Sequence, residues 1–247
     1  MALRESFERS GNWLFRRRSY LPLLLFLIVV PCMRGFTYPG GREELDQLWE
    51  LFCLAVSLAG LIIRSYAVGT TPSGTSGRNT HGQVASQLNS TGLYSVVRHP
   101  LYLGNYFMWL GVALFPRIWW LAVIVSLLFW LYYERIMFAE EEFLRRQFGA
   151  PFEEWAARTP AFIPNFRYWQ PPALSFSWKT VLRREYSGFY GVIASFTFLE
   201  FVSDFVESGH IEFDPMWCII FGVSSLIYLT LLMLKRRTRL LSLAGRS

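Results

Sequence analysis

The sequence predicts an all-α, polytopic membrane protein of about six transmembrane helices. Three observations carry that expectation. The 247 residues are 53% hydrophobic and only 17% charged, a balance that soluble domains of this length rarely keep. The apolar residues gather into segments near the length needed to cross about 30 Å of hydrocarbon. Lysine and arginine are distributed asymmetrically between the segments that join them.

The first expected span is residues 20–36. A cleaved signal peptide is the competing reading. Five arginines precede the run (Arg4, Arg9, Arg16, Arg17, Arg18), no small-x-small site follows it, and it exceeds an ordinary signal core, so a retained helix is expected. Residues 48–68 form the second span. Residues 101–115 and 118–138 read as a helical hairpin broken at Phe115-Pro116-Arg117, because proline lacks the amide proton a helix interior needs. Residues 188–206 and 215–234 complete the set.

Orientation follows from the cations. The N-terminal segment, the stretch between spans four and five (Arg145, Arg146, Arg158, Arg167, Lys179, Arg183, Arg184) and the C-terminal tail are basic. The other side carries Arg34, Arg42 and Arg117 beside Glu43, Glu44, Asp46, Glu207, Glu212 and Asp214. Both termini are therefore expected in the cytosol, with the bacterial inner membrane as the expected location. The net charge of +6 is accounted for by topology and anionic lipid, without nucleic acid. Cys32, Cys53 and Cys218 fall inside expected spans without metal-like spacing, so they read as packing residues, and no metal site is expected. The chain divides into N-terminal transmembrane helices (1–68), a core of cytosolic loops and hairpin (69–187), and C-terminal helices with a basic tail (188–247).

Two polar segments hold the chemistry. The first contains Arg98-His99-Pro100-Leu101-Tyr102-Leu103-Gly104 at the start of span three. His99, before a proline, is pushed towards extended geometry, and Pro100 suits the first helical position. Gly104 lets a neighbour approach the helix backbone closely. A helix start with open amides and a basic pair suits a carboxylate or phosphate. An interfacial helix anchored by Arg98 and Tyr102 is the plain alternative. The second segment follows span four: Glu140-Glu141-Glu142-Phe143-Leu144, Phe148-Gly149, Phe152, Trp155, then Thr159-Pro160-Ala161-Phe162-Ile163-Pro164. An acidic cluster there suits ammonium or ribose hydroxyl groups, and its plain alternative is a solvated helix face balanced by Arg145 and Arg146.

In this order the elements resemble the isoprenylcysteine carboxyl methyltransferase family and its phospholipid N-methyltransferase relatives, over Leu93 to Pro164 and more loosely back to Arg64. The resemblance implies S-adenosylmethionine as cofactor, held in a pocket facing the cytosol, and a membrane lipid as methyl acceptor. It places Arg98, His99, Pro100, Tyr102 and Gly104 in the cofactor strip, with Glu140 and Glu141 as the family's acidic pair. Relatives often carry a basic residue where Ala161 stands, which puts any acceptor contact there in doubt. A soluble-type fold is not expected, since no glycine fingerprint follows a strand.

The acceptor is expected to be an anionic headgroup. The loop from Thr70 to Thr80, with Arg78, packs glycines and hydroxyls that can form an anion cradle. It also resembles bacterial relatives that methylate the lipid A 1-phosphate. Arg64 either snorkels or contacts the anion, so Arg64, Arg78 and His99 are the candidate catalytic residues. A prenylcysteine carboxylate is the runner-up and a phospholipid amine the third. Glu200, Asp204 and Glu207 share a face of span five; they line the acceptor route or face the non-cytosolic water. Two readings from other classes stand beside these: an NADPH-dependent sterol-type reductase, and a non-enzymatic scaffold or transporter.

Overall fold

The computed structural model describes residues 2–36, 43–72, 74–75, 83–210, 213–243 and 245–246. Among them eight α-helices run α1 (Leu3–Arg17), α2 (Phe26–Cys32), α3 (Glu43–Gly69), α4 (Pro100–Leu114), α5 (Trp119–Phe148), α6 (Ala150–Arg158), α7 (Trp178–Ser208) and α8 (Pro215–Arg237). Among the described residues there is no strand, only isolated bridges such as Gly92 to Gln170. The fold is all-α, as its apolar segments require in lipid, where each backbone polar group must be satisfied within its own helix.

Among the described residues, four helices (α3, α5, α7 and α8) are long and apolar enough to cross a membrane. The number rises to five if the bent pair Leu3–Arg17 and Pro22–Gly35 counts as one span. The expected six are not reached, for two reasons. α4 has 15 residues, about 22 Å at 1.5 Å per residue, short of a full crossing. The first expected span breaks into a 3₁₀ turn at Leu21–Leu25, the short α2 containing Pro31, and another 3₁₀ turn at Met33–Gly35. Leu127, Leu131, Leu226 and Val223 are exposed along the long helices, which is the pattern of a surface whose solvent is hydrocarbon.

α5 extends well beyond a span. Its 30 residues reach about 45 Å, longer than an apolar layer of about 30 Å, and its last turns carry Glu140, Glu141 and Glu142. Gly149 then turns the chain at φ +59° and opens α6. The N-terminal arginine segment is an amphipathic helix instead of a loose tail. α1 packs along α5, with Phe15 buried among Tyr102, Phe129, Tyr133 and Ile136, and Phe7 set edge-on to Phe138 at 5.6 Å. Arg4 pairs with Glu142, and Arg146 with Glu8 at 2.5 Å.

A second core gathers Val29, Met33 and Phe36 with Cys53, Leu54, Val112, Phe115, Phe196 and Trp217, tying the segment after α1 to α3, α4, α7 and α8. α3 lies against both α4 and α7. At the α3–α4 crossing the glycines matter: a Cβ on Gly104 would stand 2.6 Å from the Gly60 carbonyl and 2.5 Å from Arg64 Cγ.

Candidate functional site

The site is built on the short non-helical segment that leads into α4. Its main chain is bonded to the stretch after α6: Arg98 N–H donates to the Pro160 carbonyl (2.9 Å), His99 N–H to Ala161 (3.2 Å), and Asn165 N–H to Val96 (2.9 Å). The proline-rich close thus acts through main-chain acceptors, and Ala161 contributes its carbonyl. Phe162 packs onto Tyr106, Phe129 and Trp130.

Arg98 welds this segment to α5. Its guanidinium meets Glu141 through Nε (2.8 Å) and a second N–H (3.2 Å), and the remaining arm reaches the carbonyls of Ala156 (2.8 Å) and Thr159 (2.7 Å). Four of its donors are satisfied inside the protein, so Arg98 is not the open anion contact its position suggested. The helix start is not a row of open amides either, because Tyr102 and Leu103 N–H turn back to the His99 carbonyl. Glu141 also meets His99 Nε2 at 2.9 Å, while Glu140 stands 3.6 Å from Nδ1. Burial disfavours the charged imidazole, but hydrogen bonding to Glu140 and Glu141 outweighs it and holds the His99 pKa above the usual histidine value. The three consecutive glutamates therefore point three ways. Glu141 braces Arg98, Glu142 is buried against Arg4 and Arg145, and Glu140 lines a cavity. None of this is the solvated face that composition alone allowed.

That cavity measures about 600 Å³, within the range of small-molecule sites. Arg98, His99, Pro100, Tyr102 and Glu140 line it. Gly104 and Glu141 are not on its wall. The neighbour that Gly104 admits is α3, with Arg64 beside it.

Arg64 faces the cavity and is already paired within the bundle. Glu185 of α7 holds it through two bonds of 2.9 Å. Asn105 accepts from it at 2.7 Å and in turn donates to the Tyr133 hydroxyl at 2.9 Å. This Arg64–Glu185–Asn105–Tyr133 network joins α3, α7, α4 and α5 at the cavity wall. Beyond it the lining turns apolar and small, through Met108, Val112, Gly188, Gly191 and Val192. Sequence reasoning missed Glu185, which sits beside arginines that read only as topology signals.

The proposed acceptor loop is placed in part. The Thr70 and Thr71 hydroxyls bond back to α3 carbonyls (Tyr66, 2.9 Å; Ala67, 2.5 Å), and Thr75 lines the cavity. Arg78 lies outside the described residues, as do Ser73, Ser76, Gly77, Asn79 and Thr80. On α7, Glu200 and Asp204 face neither water nor the cavity; both are buried, and Glu207 alone of the three is exposed.

The phospholipid methyltransferase family profile matches residues 50–151. The protein-S-isoprenylcysteine O-methyltransferase of Schizosaccharomyces pombe is 30% identical over 168 residues, covering 63% of this chain and 67% of that protein. The chain belongs to this family of membrane methyltransferases. Two shorter matches are to the nickel-cobalt-cadmium resistance protein NccN of Alcaligenes xylosoxydans xylosoxydans (39% over 84 residues) and the cobalt-zinc-cadmium resistance protein CzcN of Cupriavidus metallidurans (36% over 84 residues). Each covers 34% of this chain, and the chain spans 39% and 38% of those two proteins' lengths. No solved structure matches. The family profile takes in Arg64, the histidine-proline strip and the acidic run, and stops before Glu185.

Proposed function

We propose that this protein is an S-adenosylmethionine-dependent membrane methyltransferase that O-methylates an anionic lipid headgroup. One observation carries the reading: a single cavity joins the polar wall of His99, Tyr102 and Glu140 to the apolar wall of α4 and α7, with the Arg64–Glu185 pair at the junction. A polar cofactor and the head of an amphiphile can meet there.

The residues fit that cofactor. Glu140, beside His99, offers a carboxylate to its ammonium or ribose hydroxyl groups, and the Tyr102–Tyr133 rings, with centroids 4.7 Å apart, offer an aromatic floor. When bound, the cofactor supplies a methyl group already activated on a sulfonium. The protein's own task is then alignment and exclusion of water. An anionic oxygen needs no general base, whereas a protonated amine does. Charge favours the anion: Arg18, Arg64 and Arg184 line the cavity against Glu140 and Glu185, with Arg98 neutralised by Glu141. A phosphate or a prenylcysteine carboxylate meets this requirement. The Thr70–Thr80 loop favours a lipid A 1-phosphate-like group, in a bacterial inner membrane with the cavity open to the cytosol.

Labelled methyl transfer from S-adenosylmethionine into a total lipid extract, run beside a farnesylcysteine analogue, tests this. A methyl ester on a lipid phosphate supports the choice. An ester on farnesylcysteine, or a methylated amine, replaces the acceptor and keeps the reaction. No transfer to any of them removes the enzymatic reading.

A further inference from the structure

The end of the bundle opposite the cavity holds a second cluster that methyl transfer does not use. Asp46 and Glu50 come from α3, Glu200 and Asp204 from α7, and all four are buried. Arg117, in the α4–α5 turn, pairs with Asp46. Trp217 of α8 donates its indole N–H to Glu50 Oε2 at 3.1 Å. That leaves Glu50 Oε1 and Glu200 Oε2, each shielded from solvent, and neither meets a donor. The two carboxyl groups lie within hydrogen-bonding reach of each other, and Asp46 and Asp204 add negative charge nearby. The buried Ser203 hydroxyl on α7 is already committed, donating to the main-chain carbonyls of Leu199 (3.2 Å) and Glu200 (2.8 Å).

Two facing carboxylates in an apolar interior repel strongly, and each lacks a donor that a single hydrogen would provide. Among the described residues, no three His, Cys, Asp or Glu side chains converge well enough to hold a metal ion. We propose that Glu50 and Glu200 hold one proton between them, forming a proton-binding site that clamps α3 to α7 at the end of the bundle remote from the cavity.

The placement gives that clamp a consequence. α3 and α7 also carry Arg64 and Glu185, which are bonded across the same seam. Glu50 lies fourteen residues before Arg64, and Glu200 fifteen after Glu185, so the two contacts sit about four helical turns apart on one antiparallel pair. A proton at one end therefore fixes the register that aligns the ion pair at the other.

Infrared spectroscopy of the full chain in lipid nanodiscs tests the proposal. The wild type is expected to show a protonated-carboxyl C=O stretch at neutral pH that shifts in D₂O and disappears on alkalinisation. Glu50→Gln and Glu200→Gln should each abolish that band and remain folded, since the amide fills the same space and supplies the missing N–H. Should either glutamine variant not fold, Glu200→Asp retains the carboxyl and must move the band. Absence of the band in the wild type overturns the proposal, as does its persistence in both glutamine variants. Replacement of the band at fixed pH by sodium, magnesium or calcium also overturns it, by showing a metal cation between the carboxylates. Melting temperature alone does not decide, because His99 also loses a proton as pH rises.

Discussion

Two arginine–glutamate pairs border the same cavity and are made differently. Arg98 and Glu141 are 43 residues apart, and their bond is embedded in main chain: the guanidinium also takes the carbonyls of Ala156 and Thr159. Arg64 and Glu185 are 121 residues apart, and their principal third partner is a side chain, Asn105. An arginine locked onto backbone carbonyls is scaffold, since nothing can displace it without unravelling the loop that supplies them. An arginine held by side chains at a cavity wall can exchange a glutamate for an incoming anion. The motif arginine therefore builds the site, and the arginine inside the helix is the one we propose meets the acceptor.

The comparison breaks most sharply at Arg98. Arg98→Ala leaves Glu141 facing only His99 and strips two carbonyls of donors, so a loss of about 3–5 kcal/mol is expected. The check is the denaturation midpoint in detergent, and a wild-type midpoint would show that the pair is dispensable. Next in size is Arg64→Leu. It should lower turnover at fixed acceptor tenfold or more, as expected for loss of a charge-assisted bond of about 1.5–3 kcal/mol. S-adenosylhomocysteine affinity should stay near normal. The double variant Arg64→Leu/Glu185→Leu should recover stability but not turnover, and recovery of both would make the pair purely structural.

Glu140 and Glu141 sharpen the contrast within one helix. Glu140→Gln is expected to weaken S-adenosylhomocysteine binding about tenfold, near 1.4 kcal/mol, with stability unchanged. Glu141→Gln should lower the melting temperature first. Titration calorimetry beside thermal melts separates them, and equal behaviour would erase the distinction. The smallest effect concerns His99. Its folded pKa is raised above the unfolded value of 6.5 by the two glutamates, with burial opposing. Its protonated form therefore contributes stability that is complete below pH 6.5 and is lost as pH climbs through the raised value. His99→Gln should flatten that part of the melting curve's alkaline decline, and an unchanged decline would place the titration elsewhere.

Much of this was legible in the chain itself. The apolar segments predict an all-α fold, and the strip from Arg98 to Tyr102 lines one wall of the cavity with Glu140. Local chemistry predicts those elements because each motif is contiguous. What escaped is long-range or conformational. Glu185 sits beside Arg183 and Arg184, where charge counting hides it, and its partner lies on another helix. Glu50 and Glu200 pair across 150 positions, and on α7 alone Glu200 looks solvent-facing. The role of Gly104 inverts for the same reason: the sequence shows that room exists, and packing decides that α3 fills it. The α1 helix did leave a signal, since Phe7, Gly11 and Phe15 recur at four-residue spacing along one face. The arginines around them drew the reading towards topology instead.

Ligand stabilisation tests the central claim most directly, because it needs no knowledge of the acceptor. Purified protein is melted with S-adenosylhomocysteine and, separately, with NADPH. At a hundredfold excess over its dissociation constant, a ligand that binds the folded state alone stabilises it by about 2.7 kcal/mol. The account predicts a rise in melting temperature with S-adenosylhomocysteine that Glu140→Gln diminishes, and none with NADPH. A rise with NADPH and none with S-adenosylhomocysteine would contradict it.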